Sequence, residues 1–367
     1  MLDKESSILQ SAYFNNGLSE LHIGNSVDVL KNMPDKFIQT VVTSPPYFGL
    51  RDYGTANWVG GNENCDHAIG RVERNGLTQK QISNMQAFGS DAVKNNSYCP
   101  KCNALRIDQQ IGLELSIEEY INNLILLFRE IHRTLKDDGT IWINIGDSYN
   151  SKKSSPSLSN LYGKNLKAQE NPNAYLVRPP RINNLKSKDL MGIPWKLAFA
   201  LQDDGWFLRS DIIWTKPNPM PESVKDRPTK AHEYIFLLSK QKNYFYDYKA
   251  IQEQAISEGK KMYPSAYMPE TNELKIVQDF KNKSTVWNVN VRSYSEAHFA
   301  TYPEKLIYPC VQAGSKVGDI VLDPFIGSGT TSVVAQKLNR KSIGIDLNGD
   351  YLKIAQKRIE STNLPLF

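Results

Sequence analysis

The chain has 367 residues, 40% of them hydrophobic and 23% charged, which is ordinary globular composition for one large domain with insertions or two modest ones. No apolar run approaches the roughly 18 residues of a membrane span. The first thirty residues lack a secretory pattern, and four cysteines are too few for a disulfide scaffold. A soluble cytoplasmic protein with no membrane partner is expected. The net charge of +5 is mildly basic and by itself excludes little.

Short β-branched runs alternate with helical patterns, which predicts an α/β fold with a parallel sheet between helices. In chain order the expected strands are Glu20–Ile23, Ile38–Thr43, Thr140–Ile145, Asp211–Trp214, Glu233–Leu238, Asp319–Leu322 and Ser342–Ile345. The clearest helix begins at Ser116, which forms a capping-box pattern with Glu119. Apolar residues then recur at helical spacing from Ile117 to Leu135. Asp137-Asp138-Gly139 is expected to stop this helix before the next strand.

Three stretches break the alternation: 51–106, 151–190 and 250–289. They read as insertions into one catalytic domain built from 1–50, 107–150, 191–249 and 290–367. From Ser151 to Leu190 eight Lys/Arg stand against Glu170 and Asp189, among Ser, Asn and Pro. This stretch is either a solvated linker or an arm that contacts phosphates and orders on DNA.

Two turns carry the chemistry. One lies near the C-terminus, where Asp323-Pro324-Phe325-Ile326-Gly327-Ser328-Gly329-Thr330-Thr331 joins the apolar run Ile320–Leu322 to a helical pattern. Strand, glycine turn and helix place a cofactor at a strand's carboxyl end near a helix N-terminus. The glycines are expected to let backbone approach the ligand. About twenty residues on, a second strand ends at Asp346, suited to accept from ribose hydroxyls. Gly-x-Gly alone is unspecific; with Asp346 at this spacing it gains weight. A dehydrogenase would carry three glycines early in the chain, and this one does neither.

The other turn, Thr43-Ser44-Pro45-Pro46-Tyr47, follows the buried-strand pattern Ile38–Val42. Two prolines with fixed φ and no N–H hold a stiff turn with projecting carbonyls. A fixed carbonyl beside the Ser44 hydroxyl makes an acceptor pair for an –NH₂ group. Tyr47 can lie against a planar ring. The exocyclic nitrogen of cytosine or adenine is a poor nucleophile because its lone pair is delocalised. Acceptors that draw its hydrogens out of plane aim that lone pair at an electrophilic methyl. The base must leave the stack to reach such a pocket.

Together these residues resemble the amino-methyltransferases of DNA, which carry an Asp/Asn/Ser-Pro-Pro-Tyr/Phe turn and a Phe-x-Gly-x-Gly turn. The order here, catalytic turn first, is similar to the circularly permuted β group; glutamine methyltransferases that act on release factors have the reverse order. The resemblance implies a doubly wound, mostly parallel seven-stranded sheet with one antiparallel strand. It also implies that the strand before Asn25 lies beside the strand ending at Asp346. It implies S-adenosylmethionine as cofactor and duplex DNA as partner. Ser44 and the Pro45 carbonyl would hold the amino group, Pro46 would stiffen the turn, and Tyr47 would stack on the flipped base. Asn25, Thr301, Asp323, Phe325, Gly327, Gly329, Thr330 and Asp346 would form the cofactor site. Asn25 stands where the family usually has an acid, and Tyr302 where it usually has lysine. Ile213–Pro221 and Lys230–Glu233 look like the family's target-pocket hairpin. His232 and His298 read as structural, because direct methyl transfer needs no strong base.

Serine in the first position leans toward cytosine N4, with adenine N6 as the alternative. An RNA or protein N-methyltransferase and a catalytically silent DNA-binding protein are the rivals from other classes. No nuclease motif is convincingly placed, so cleavage would fall to a separate cognate restriction endonuclease. Finally, Cys65-x-His67 and Cys99-x-x-Cys102 supply the four ligands of a closed structural zinc site, with unligated thiols as the other reading. Cys310 stands apart as a core residue.

Overall fold

The computed structural model describes residues 12–49, 53, 55–65, 67, 99, 101–150, 185–255, 261–262, 275–276, 280–291 and 302–362. Most of the basic stretch, together with Thr301 and His298, lies outside them. Strands β1 (Phe14–Asn15), β2 (Ser19–Ile23) and β3 (Ile38–Thr43) open the fold, with helix α1 (Ser26–Lys31) between the last two. The first insertion contributes β4 (Asn57–Val59) and β5 (Leu105–Ile107). Helix α2 (Ile117–Thr134) leads into β6 (Leu135–Ile145), and α3 (Ile193–Asp203) into β7 (Phe207–Thr215) and β8 (His232–Ser239). Short ribbons pair β9 (Glu253–Gln254) with β12 (Phe280–Lys281), and β10 (Lys261–Met262) with β11 (Lys275–Ile276). Strand β13 (Val286–Asn288), helix α4 (Glu304–Gly314), β14 (Ile320–Asp323), α5 (Thr330–Lys337), β15 (Lys341–Asp346) and α6 (Gly349–Glu360) complete it.

One nine-stranded sheet runs β1-β2-β15-β14-β3-β6-β8-β7-β13. All seven expected strands are in it, and β8 is the antiparallel one among them. Two short edges extend it: β1, antiparallel to β2, and β13, parallel to β7. Val286–Asn288, read from sequence as the end of the third insertion, is therefore part of the main sheet. The N-terminal β2 pairs in parallel with the C-terminal β15, Ile23 opposite Asp346, so the permuted order closes in space.

Alternation along the strands explains the two helical layers. Val41, Ile141, Ile143, Phe236, Leu238 and Leu322 face one core with α2 and α3. Their neighbours Val42, Trp142, Ile235, Leu237 and Val321 face a second core with α4, which also buries Cys310. Strands apolar on both faces are what a sheet covered on both sides requires. Ser116 caps α2 by accepting from Glu119 N at 3.1 Å. Asp137-Asp138-Gly139, expected as a turn, instead forms the start of β6, whose first residue already ends the helix. Gly139 is required there because a Cβ would lie 2.5 Å from Leu135 Cγ. No helix among the described residues is long and apolar enough to cross a membrane.

From β3 the chain goes on to α2 on one face, and from β14 to α5, whose Val334 and Ala335 join the other core. These two strands are neighbours. Their divergence opens a crevice at their carboxyl ends, the topological switch point at which ligands bind in such sheets.

Candidate active site

The Ser44–Tyr47 turn leaves β3 and the Asp323–Thr331 turn leaves β14, so both reach that crevice. They share one cavity of about 230 Å³, lined by Ser44, Pro45, Pro46 and Tyr47 on one side and by Phe325, Gly327, Thr330 and Asp346 on the other. Asn25 also lines it. Thr43 Oγ1 donates to Asp323 Oδ1 at 2.7 Å and ties the two strand ends together.

On the proline side, the Tyr120 hydroxyl donates to the Pro46 carbonyl at 2.9 Å, which fixes the turn from below. The Tyr47 hydroxyl donates to Glu233 Oε2 at 2.7 Å and lies 3.3 Å from Asn144 Oδ1. Burial, with the Glu233 charge next, holds the Tyr47 phenol well above its ordinary range, so it stays protonated. Glu233 is paired with Lys216, whose Nζ sits 4.5 Å from the centre of the Trp214 ring. Asn144 Nδ2 donates to Glu233 Oε2 at 3.2 Å. The Tyr47 ring packs on Gly146, where a Cβ would come within 2.7 Å of Cε2. Side chains from β6 and β8 thus converge on one tyrosine, with Lys216, just past β7, behind Glu233.

On the glycine side, Asp346 accepts from Gly327 N at 2.9 Å and from Asn348 N at 2.8 Å. A carboxylate offers about four acceptor positions, so these bonds orient Asp346 and leave capacity toward the cavity. Burial pushes its carboxyl up to about 6. Asp323 is placed differently from the expectation of cofactor contact. It is 1% exposed and does not line the cavity. It accepts from Thr43, Thr331, Tyr302 and Phe325 N, which makes it the knot beneath the turn. Burial raises its carboxyl, and the hydroxyls of Thr331, Thr43 and Tyr302 pull it back.

The two glycines also differ. Gly327 (φ 49°) lines the cavity. Gly329 (φ 83°) is buried, and a Cβ there would meet Ala355 Cα and Cβ at 2.9 Å. Gly329 thus sits where α5 packs closely on α6. Thr330 accepts from Arg358 Nη1 at 3.0 Å. The Asn25 side chain caps α1 through Val27 N at 2.9 Å. His232 packs its ring edge-on to Tyr234 and is absent from the cavity wall.

Sequence reasoning assigned no site role to Glu233, Lys216, Tyr302, Tyr53 or Gln110, which all line the cavity. Glu233 and Lys216 lie within the segments that resemble the family's hairpin, and Tyr302 is the departure from its lysine; those were the available signals. Tyr53 lies within the first insertion and Gln110 just after it, and neither carried one.

The DNA methylase family model matches residues 38–357 of the chain. The type II methyltransferase M.Cfr9I of Citrobacter freundii is 42% identical over 344 residues, covering 93% of this chain and 88% of its own. M.SmaI of Serratia marcescens is 42% identical over 340 residues, covering 92% and 89%. Among solved structures, the PvuII DNA methyltransferase, described as cytosine-N4-specific, is similar with a TM-score of 0.55 at 16% identity, over 96% of this chain and 90% of that one. At that identity the likeness is one of fold.

Proposed function

The chain belongs to the DNA methylase family that modifies N4 or N6, and on that premise we propose that it methylates cytosine N4 in duplex DNA in preference to adenine N6. The single observation that carries this reading is that the Ser44–Tyr47 turn and the Gly327–Asp346 wall open into one cavity. An orienting carboxylate with spare acceptor capacity, beside apolar Phe325 and Ile326, suits a nucleoside cofactor. S-adenosylmethionine, held by Asp346, Gly327, Phe325, Asn25 and Thr301, would supply an activated methyl group.

The chain's own residues then do the rest. Ser44 and the Pro45 carbonyl accept from the target amine and aim its lone pair, while Tyr120 keeps the Pro46 carbonyl engaged. Tyr47 gives the flipped base an aromatic surface. As the new N–C bond forms, the amine proton has a route through the Tyr47 hydroxyl to Glu233. The serine of the first position favours cytosine over adenine. The insertions 51–106, 151–190 and 250–289 supply the DNA contacts, phosphates by the basic stretch and bases by the third. Structural zinc on the Cys/His cluster is part of the same reading. So are a cytoplasmic, nucleoid-associated location and a cognate restriction endonuclease that acts separately.

The test is mass spectrometry of nucleosides from duplex DNA incubated with the enzyme and S-adenosylmethionine. N4-methylcytosine is the expected product. N6-methyladenine would overturn the base assignment, and label found only in RNA or protein would overturn the substrate.

A further inference from the structure

Cys65, His67, Cys99 and Cys102 bring their ligand atoms within 4.8 Å of one another, although the two pairs are separated by more than thirty residues of sequence. Two distances are informative. Cys65 Sγ lies 3.7 Å from Cys99 Sγ, and Cys102 Sγ lies 3.4 Å from His67 Nδ1. A tetrahedron with zinc–sulfur bonds of about 2.3 Å and zinc–nitrogen bonds of about 2.0–2.1 Å has edges of about 3.8 Å and about 3.6 Å. A disulfide would need about 2.05 Å. The surrounding backbone is shaped to the cluster. Gly61 (φ 77°) passes so close that a Cβ would sit 2.8 Å from Cys102 Sγ. Cys99 N and O pair with Ala104 O and Asn103 N at 2.8 Å, which closes the Cys99–Cys102 knuckle.

From the cluster two chain segments run side by side to the cavity. The His67 ring stacks on Trp58 of β4, centroids 4.8 Å apart. Beyond the β4–β5 ladder, Thr55 Oγ1 donates to Asp108 Oδ1 at 3.1 Å and Tyr53 N donates to Gln110 Oε1 at 2.7 Å. The strip then docks on the cofactor side: Asn348, whose N–H holds Asp346, donates through Nδ2 to Tyr53 O at 3.1 Å. Tyr53, Thr55 and Gln110 line the cavity. Strands of three residues do not persist as an isolated pair in water, so the strip needs a staple at its outer end.

We propose that Cys65, His67, Cys99 and Cys102 bind one zinc ion, and that this ion holds the Tyr53–Gln110 strip in place as the outer wall of the cofactor cavity. The second half rests on the cofactor reading of that cavity. A structural ion of this kind fixes a segment that has no core of its own, and preorganising a binding wall removes its ordering cost from the ligand's affinity.

The test uses the full chain. Metal analysis of the purified protein should give one zinc per chain, and replacement by cobalt should give thiolate-to-cobalt charge-transfer and visible d–d bands. Chelation should weaken S-adenosylmethionine binding, read by calorimetry, on the order of tenfold. Zinc added back should restore it, with far-ultraviolet circular dichroism reporting that the main sheet persists throughout. Cys102→Ser should reproduce the chelated state. No bound metal and no cobalt spectrum overturn the site. Bound metal whose removal leaves cofactor affinity unchanged overturns the bracing role. A zinc-loaded protein that binds no S-adenosylmethionine overturns the cavity reading and the bracing with it, while leaving the metal site standing.

Discussion

The Thr43 hydroxyl donates to the Asp323 carboxylate at 2.7 Å, a bond between residues 280 positions apart that locks the end of the proline-turn strand to the end of the glycine-turn strand. Thr43→Val keeps the shape and removes the donor, leaving a buried carboxylate one partner short. The expected cost is about 1–3 kcal/mol, read as a lower urea midpoint with unchanged slope. Turnover should fall as well, because the two walls of the cavity lose their shared fixing point. A variant as stable and active as the parent would show that the tie is idle.

Tyr47 is held from two sides, by Glu233 at its hydroxyl and by Gly146 at its ring. Tyr47→Ala should lower turnover on the order of 10²-fold, the scale of losing a positioned reactant, while S-adenosylmethionine affinity stays near that of the parent. Tyr47→Phe keeps the ring and should fall between. Gly146→Ala should resemble Tyr47→Phe in turnover, since its Cβ displaces the ring. Equal losses in turnover and cofactor affinity would contradict the role given to Tyr47.

With Asp346 in the proposed cofactor site, cofactor binding should depend on pH. Burial raises its carboxyl from 3.8 to about 6, so between those values the folded chain holds a proton that the unfolded chain has released. The stability contributed by this group therefore declines as pH rises through that window. In the proposed cofactor site binding should run the other way, because ribose hydroxyls would donate to the ionised carboxylate. Calorimetric affinity for S-adenosylmethionine should strengthen as pH rises through about 6, and Asp346→Asn should bind more weakly with a flat profile. A parent enzyme whose affinity ignores pH across that range would remove Asp346 from the ligand set.

The two glycines of the turn should separate in stability and binding. Gly329→Ala forces a left-handed residue, about 1–2 kcal/mol, and drives a Cβ into α6 at Ala355. It should lower the thermal midpoint clearly. Gly327→Ala carries a comparable left-handed cost (φ 49°) but meets nothing closer than Phe325 O at 3.9 Å, so it should unfold closer to the parent than Gly329→Ala and show its effect mainly in cofactor affinity. The reverse ranking would mean that Gly329, not Gly327, faces the ligand.

Much of this was legible because its causes are local. The Ser116–Glu119 cap acts across three residues. Apolar pairs such as Val41 and Val42 mark a strand buried on both faces wherever it lies in the sheet. The edge strands β1 and β13, two and three residues long, were not legible, since segments so short have no period to read. The start of β6 was misread because Asp-Asp-Gly has turn chemistry, yet those residues lie within β6, at the point where its register with β3 shifts.

The sequence by itself determined that the chain holds a stiff proline turn after one buried strand and a glycine turn followed by a strand-end acid, because proline, glycine and alternation act over a few residues. Tertiary structure alone decided what each group within those turns is for. Asp323 became a buried knot, Gly329 a packing contact, and Glu233 the partner of Tyr47. Each role depends on which strands are neighbours in the sheet. That order brings together residues up to 323 positions apart, a distance over which no local propensity acts.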